Sequence, residues 1–184
     1  MTLQTTRLFG PFRYEDLEDA PDDGYRREII DGSLIVTPAP NFGHQRASVL
    51  LGALLLAAEV PGTVVLAAPF DWRHPDGGVV EPDLLVIRRV DADVDGPLAP
   101  TATPMLLIEI LSPSRPQYDL AVKRALYERL GVPAYWIVDP RRHSVLALRL
   151  TDGTYETEAE VTGDEEFVTD YPFPVRFCPD ELGT

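Results

Sequence analysis

The sequence predicts a mixed α/β domain built on a central β-sheet flanked by helices. Three observations carry this. The runs Asp83–Ile87 (DLLVI) and Met105–Leu111 (MLLIEIL) are nearly continuously apolar, as strands covered on both faces are. Two segments with helical character, after Asn41 and after Ser114, alternate with strand-like stretches. Two Asp-Gly dipeptides, Asp31-Gly32 and Asp152-Gly153, sit between apolar runs near either end, which is the signature of tight hairpins.

Taken in order, residues 7–25 are acidic, contain Pro11 and Pro21, and read as a short helix or an irregular lead-in. Arg26–Ile30 and Ser33–Thr37 are the arms of the first hairpin, ended by Pro38-Ala39-Pro40. Asn41 can cap a helix with apolar positions at Val49, Leu50, Ala53, Leu54 and Ala57, stopped by Pro61-Gly62. Thr63–Ala68 is β-branched and apolar, a strand. HPDGG, residues 74–78, is a turn cluster, and Pro82 leads into the Asp83–Ile87 strand. Residues 91–103 form an acidic, proline-containing loop before the Met105–Leu111 strand. Ser114 and Gln117 can form a capping box for a helix running to about Leu130, with Pro116 in its first turn and Gly131 as its stop. AYWIVD after Pro133 is a strand. Ser144–Leu150 and Thr154–Val161 close a hairpin, and FVTDYPFPVRF supplies a last strand or edge segment.

Composition narrows the functional classes. The chain has 184 residues, enough for one domain with a sizeable core. Its net charge of −14 argues against a non-specific polyanion binder. The charge is uneven: residues 113–150 carry seven basic and three acidic side chains, whereas residues 151–184 carry one and ten. Fifteen of the sixteen basic residues are arginine, so Lys123 stands alone. The single cysteine, Cys178, excludes an internal disulfide framework and a zinc–cysteine cluster, and fits a reducing, cytoplasmic setting. No signal-peptide core is visible, and the longest apolar stretch, Ala47 to Val60, is too short for a membrane span of about 20 residues. Phosphate-loop, dinucleotide-glycine, HExxH and GxSxG motifs are absent.

Two acids interrupt apolar strands. Asp83 opens DLLVI and Glu109 sits within MLLIEIL. A buried carboxylate is costly unless paired, hydrogen-bonded or bound to metal. Two on neighbouring strands can share a divalent cation, and oxygen donors suit Mg²⁺ or Mn²⁺. The competing reading is a solvated strand-end aspartate and a glutamate paired with arginine. Asp119, Lys123 and Tyr127 follow at i, i+4 and i+8, one stripe on the second helix. Lys123 can reach that site, or it can form an ordinary surface pair with Asp119.

REIIDGSLIVTPAP, His44, VVEPDLLVI, IEILSPS and DLAVKRALYERLGVPAYWIVDP, in this order, resemble the Uma-two family of the PD-(D/E)XK nuclease superfamily. The resemblance implies one restriction-endonuclease-like domain over residues 1–184, with a core of about 14–150 and β-hairpins at both ends. It implies metal-binding acids at Asp83 and Glu109 and an additional acid at Glu28, which could otherwise pair with Arg26 or Arg27. The superfamily lysine is expected two residues after Glu109, where Leu111 stands, and Lys123 is the only lysine that can replace it. His44 falls at the family's histidine position, to contact phosphate, orient a carboxylate or serve the fold. Glu81 is a spare ligand or a rim charge. Ser112 and Asp119 match the pattern as turn and helix-orienting residues, and Arg115 and Arg124 are candidate phosphate contacts. The implied activity is Mg²⁺- or Mn²⁺-dependent hydrolysis of DNA phosphodiesters by catalytic Asp83, Glu109, Lys123 and Glu28, in a possible homodimer. Two alternatives stand beside it: an inactive binding module that keeps the fold, and a hydrolase of small phosphodiesters or nucleotides. The acidic charge favours both.

Overall fold

The computed structural model describes residues 5–92, 98, 101–112 and 116–183; for residues 116–120 only the backbone is described. Its centre is a six-stranded sheet of β4 (Thr63–Ala67), β7 (Leu84–Arg88), β8 (Leu106–Ile110), β9 (Ala134–Asp139), β10 (Ser144–Thr151) and β11 (Thr154–Thr162). The strand order is β11-β10-β9-β8-β7-β4. All neighbours are antiparallel except β8 and β9, which run parallel and are joined through helix α2 (Pro116–Arg129). A parallel pair needs such a crossover, and a helix supplies it.

A second sheet, order β1-β3-β2-β6-β5, is formed by β1 (Thr6–Leu8), β2 (Arg26–Ile30), β3 (Ser33–Thr37), β5 (Trp72–Arg73) and β6 (Val79–Val80). β2 and β3 form the hairpin expected at Asp31-Gly32, whose φ angles of 48° and 69° give the turn both its left-handed positions. The Asp152-Gly153 hairpin closes in the same way, at 49° and 82°. β12 (Phe167–Thr169) and β13 (Val175–Phe177) form a small C-terminal pair.

Strand alternation divides the core in two. Leu106, Ile108 and Ile110 of β8 face helix α1 (Phe42–Ala58) and the C-terminal pair. Leu107 of β8, with Leu85 and Ile87 of β7, faces the other way, toward Leu126 and Tyr127 of α2 and toward Ile30, Ile35 and Trp72 of the second sheet. Glu109 shares the parity of Leu107, Asp83 that of Leu85, and Arg26 and Glu28 that of Ile30. Period-2 geometry thus directs four charged residues into the space between the two sheets.

Two sequence expectations need correction, and a third, the turn at residues 74–78, stands with an addition. Residues 7–25 are not only helix or irregular lead-in, since Thr6–Leu8 pairs with β3 and Tyr14–Leu17 forms a 3₁₀ turn. The turn at residues 74–78 joins two short strands, β5 and β6, that no apolar run announced. Helix α1 fully buries His44, Ala47, Leu51 and Leu55; of the expected positions Leu50 and Leu54 pack half-buried against the core, and Val49 is 61% exposed. Beyond Ser48 its sequence is apolar all round, so periodicity does not select the buried side there. Tyr135 and Trp136 of β9 are fully buried core residues.

Candidate active site

Asp83 stands just before β7, and its carbonyl accepts the Ala68 N–H at 3.0 Å. Leu84 pairs with Ile108, so continuing the register sets Asp83 beside Glu109. The Asp83 carboxylate takes the Ile110 N–H at 2.7 Å and His44 Nε2 at 3.1 Å on Oδ2, and Arg26 Nη2 at 2.7 Å on Oδ1. His44 reaches it because Asn41 caps α1 by accepting the His44 N–H at 3.0 Å, fixing the first turn beside β7. Burial works against ionisation of Asp83. The His44 contact, the Arg26 charge and the Ile110 N–H outweigh it and hold the carboxyl far below the usual carboxylate range.

Glu109 accepts from Lys123 Nζ at 2.8 Å and from the Tyr127 hydroxyl at 2.8 Å, both on Oε1. The i, i+4 spacing of Lys123 and Tyr127 brings both groups to one carboxylate. Burial, reinforced by the negative charges of Asp83 and Glu28, pushes the Glu109 carboxyl up to about 7, against the pull of Lys123. Burial alone would discharge Lys123, but Glu109 and Glu28 hold its ammonium above its ordinary range. Burial and the adjacent Glu109 keep Tyr127 a protonated phenol.

Glu28 completes the group from the second sheet. Its Oε1 lies 2.8 Å from Lys123 Nζ and accepts the Glu81 N–H at 3.0 Å. Lys123 therefore bridges an acid from each sheet, and its surroundings contradict the solvated Asp119–Lys123 pair. Glu28, Asp83, Glu109 and Lys123 are all less than 9% exposed. Glu81 lies at the outer edge, 2.9 Å from Arg26 Nε, and burial raises its carboxyl against the Arg26 charge. Asp83, Glu81, Arg26 and His44 line one side of an open cleft of about 460 Å³, with Tyr25, Pro40 and Pro69 among its other walls.

The remaining expected residues are placed less centrally. Ser112 is half-buried just past β8. Asp119 lies early in α2, where only the backbone is described, and Ser114 and Arg115 lie outside the described residues. Arg124 is exposed and donates to the Tyr155 carbonyl at 3.2 Å, so α2 turns it toward β11 rather than the acids. Arg129 bridges Asp31 and Asp76. Two participants escaped the sequence reading. The sequence offers Arg26 only as a partner for Glu28, and its inward side follows once the parity of β2 is assigned. Tyr127 falls on the Asp119–Lys123 stripe, and spacing alone gives its hydroxyl no role.

Among the described residues no three His, Cys, Asp or Glu side chains form a preassembled metal cage. The donor chemistry nevertheless suits a hard divalent cation. Glu28, Glu81, Asp83 and Glu109 supply carboxylate oxygens, and among the described residues two permanent cations, Arg26 and Lys123, pair with them. Such a group can bind a cation, hold a proton, and present an ammonium to an anionic substrate.

A mixed sheet between two helices, with buried acids on adjacent strands and a lysine reaching them, defines a restriction-endonuclease-like α/β protein. The Uma2 family model, described as "Putative restriction endonuclease", matches residues 13–177, and the chain belongs to that family. The fold is similar to a crystal structure described as a putative nuclease belonging to DUF820 from Anabaena variabilis. The TM-score is 0.73 at 20% identity, covering 94% of this chain and 97% of that one. No curated protein matches the sequence.

Proposed function

We propose that this chain is a cytoplasmic, Mg²⁺- or Mn²⁺-dependent endonuclease that hydrolyses phosphodiester bonds in DNA, with residues 1–184 acting as one nuclease domain. The observation that carries this reading is the buried Lys123 ammonium, 2.8 Å from both Glu28 and Glu109, beside a second buried acid, Asp83. Membership of a nuclease family supports it. Asp83 and Glu109 would hold the cation, with Glu28 as a further donor. A divalent cation there supplies Lewis acidity and charge neutralisation to phosphate chemistry. Lys123 keeps a fixed positive charge where negative charge develops on a phosphate in the transition state. It takes the place of the lysine missing at Leu111. His44 orients Asp83, and Tyr127 orients Glu109.

Cleavage of plasmid and single-stranded DNA in Mg²⁺ tests the assignment. Asp83→Ala and Lys123→Ala should each slow cleavage at least about 10²-fold; rates equal to wild type would refute it. A second reading, hydrolysis of small phosphodiesters or nucleotides, is favoured by the −14 charge and by Asp22 and Asp23 on the cleft wall. It predicts activity that changes little with added salt. A homodimer is part of the proposal. The outer face of α1 exposes Phe42, Val49 and Leu56 beside a single charge, Arg46, and the helix contains no acidic residue, so two acidic copies can meet there without bringing carboxylates together. Light scattering should give a dimer mass that Leu56→Glu halves; an unchanged mass removes this interface.

A further inference from the structure

Among the described residues, Arg26 is the one cation of the cluster to which the proposed chemistry gives no task. It lies two residues before Glu28 on the inward face of β2, and its side chain is 17% exposed. Its guanidinium spans Asp83 Oδ1 at 2.7 Å and Glu81 Oε1 at 2.9 Å, and it lines the cleft with both acids. It thus pairs, at the cleft wall, with the carboxylate assigned to the cation. The positive charges divide the acids by their place relative to the cleft: Lys123 neutralises Glu28 and Glu109, which do not line it, and Arg26 neutralises Asp83 and Glu81, which do. A guanidinium is always charged and carries directional N–H donors, so it holds two carboxylates apart and satisfied without a metal. The Asp83 lone pairs it occupies are those a divalent cation needs.

We propose that Arg26 is a resident counter-cation. It occupies Asp83 and Glu81 in the metal-free protein, gives up Asp83 when a divalent cation binds, and then offers its guanidinium to a phosphate oxygen of the substrate in the cleft. The same N–H fork that matches a carboxylate matches a phosphate. The exchange makes metal and substrate binding mutually reinforcing, because a phosphate that captures the freed guanidinium removes the competitor from Asp83. This inference rests on Asp83 being a metal ligand.

The test is Mn²⁺ binding by calorimetry without DNA, together with DNA binding in Ca²⁺, for wild type, Arg26→Ala, Arg27→Ala and Asp83→Ala. Arg27 is the control for simple charge loss, since it pairs with Asp23 at the surface. Arg26→Ala should bind Mn²⁺ about tenfold more tightly than wild type and than Arg27→Ala, within the usual range for coupled sites. It should also bind DNA more weakly. Opposite movements of the two affinities support the exchange. Mn²⁺ affinity no higher than that of Arg27→Ala, or unchanged DNA affinity, overturns it. Should Arg26→Ala not fold, Arg26→Gln, which keeps an N–H donor, decides by the same two affinities. Mn²⁺ binding unaffected by Asp83→Ala would instead refute the site reading itself, whatever Arg26 does.

Discussion

Lys123 lies 2.8 Å from both Glu28 and Glu109, so removing it strands two buried carboxylates. Lys123→Ala should cost about 3–5 kcal/mol of stability at pH 8, measured by urea unfolding in EDTA. The cost should shrink below pH 6, where Glu109 takes up a proton. The acid itself gives a signed prediction. Its folded-state carboxyl titrates near 7 and its ordinary value is 4.5, so between these pH values the folded chain holds a proton that the unfolded chain has released. The stability this proton brings is fully present below pH 4.5 and is lost as pH rises through 7. The loss is on the order of 3 kcal/mol, from the usual value of one pKa unit. In metal-free buffer Glu109→Gln should flatten the pH 5–8 stability profile relative to wild type. Parallel profiles would show that Glu109 does not carry the raised carboxyl. At this scale the sequence was informative wherever a charge broke an apolar run, as at Asp83 and Glu109. It was silent on Arg26, because an arginine beside another arginine in a hairpin has no apolar contrast until parity is assigned.

The β2–β3 turn positions both Arg26 and Glu28, and Gly32 is its tightest point. Its φ is +69°, and a Cβ there would meet the Gly10 carbonyl oxygen at 2.9 Å. Gly32→Ala should cost about 1–3 kcal/mol in urea unfolding. It should also weaken Mn²⁺ binding by loosening the strand that carries Glu28; unchanged stability would contradict the turn's role. Helix α1 offers a second test. Leu51→Ala should cost about 2–5 kcal/mol and Val49→Ala less than about 0.5 kcal/mol, because Leu51 is fully buried and Val49 is not. The reverse ranking would mean that the helix presents its other face. Hairpins, caps and the buried strands were legible because Asp-Gly, Asn41 and unbroken apolar runs are local signals. The buried side of α1 and the short β5–β6 pair were not. The first depends on which face meets Leu84 and Val86 in the tertiary structure, and the second on pairing β6 with Ile29 of a distant strand.

Across the whole molecule, the −14 charge sets how nucleic acid can be approached. Arg26 is the only Lys or Arg among the described residues lining the cleft. Few phosphate contacts imply few released counterions, so the logarithm of DNA affinity should fall with the logarithm of salt at a slope shallower than about −3. A slope near −10, measured by fluorescence anisotropy in Ca²⁺, would reveal a broad basic face instead. The overall architecture was legible from the order of the elements and the ordered family motifs. The assembly of the site from two sheets was not, since no sequence spacing relates Glu28 to Lys123 across the intervening strands. The central claim is that this two-sheet cluster binds a divalent cation to hydrolyse DNA. The most direct measurement is Mg²⁺ or Mn²⁺ calorimetry on wild type and on the Asp83→Ala/Glu109→Ala double variant, with plasmid cleavage followed on the same samples. The account predicts that metal binding and cleavage are both present in wild type and both lost in the double variant. Cleavage that survives the double substitution, or a wild type that binds no metal even with DNA present, would contradict it.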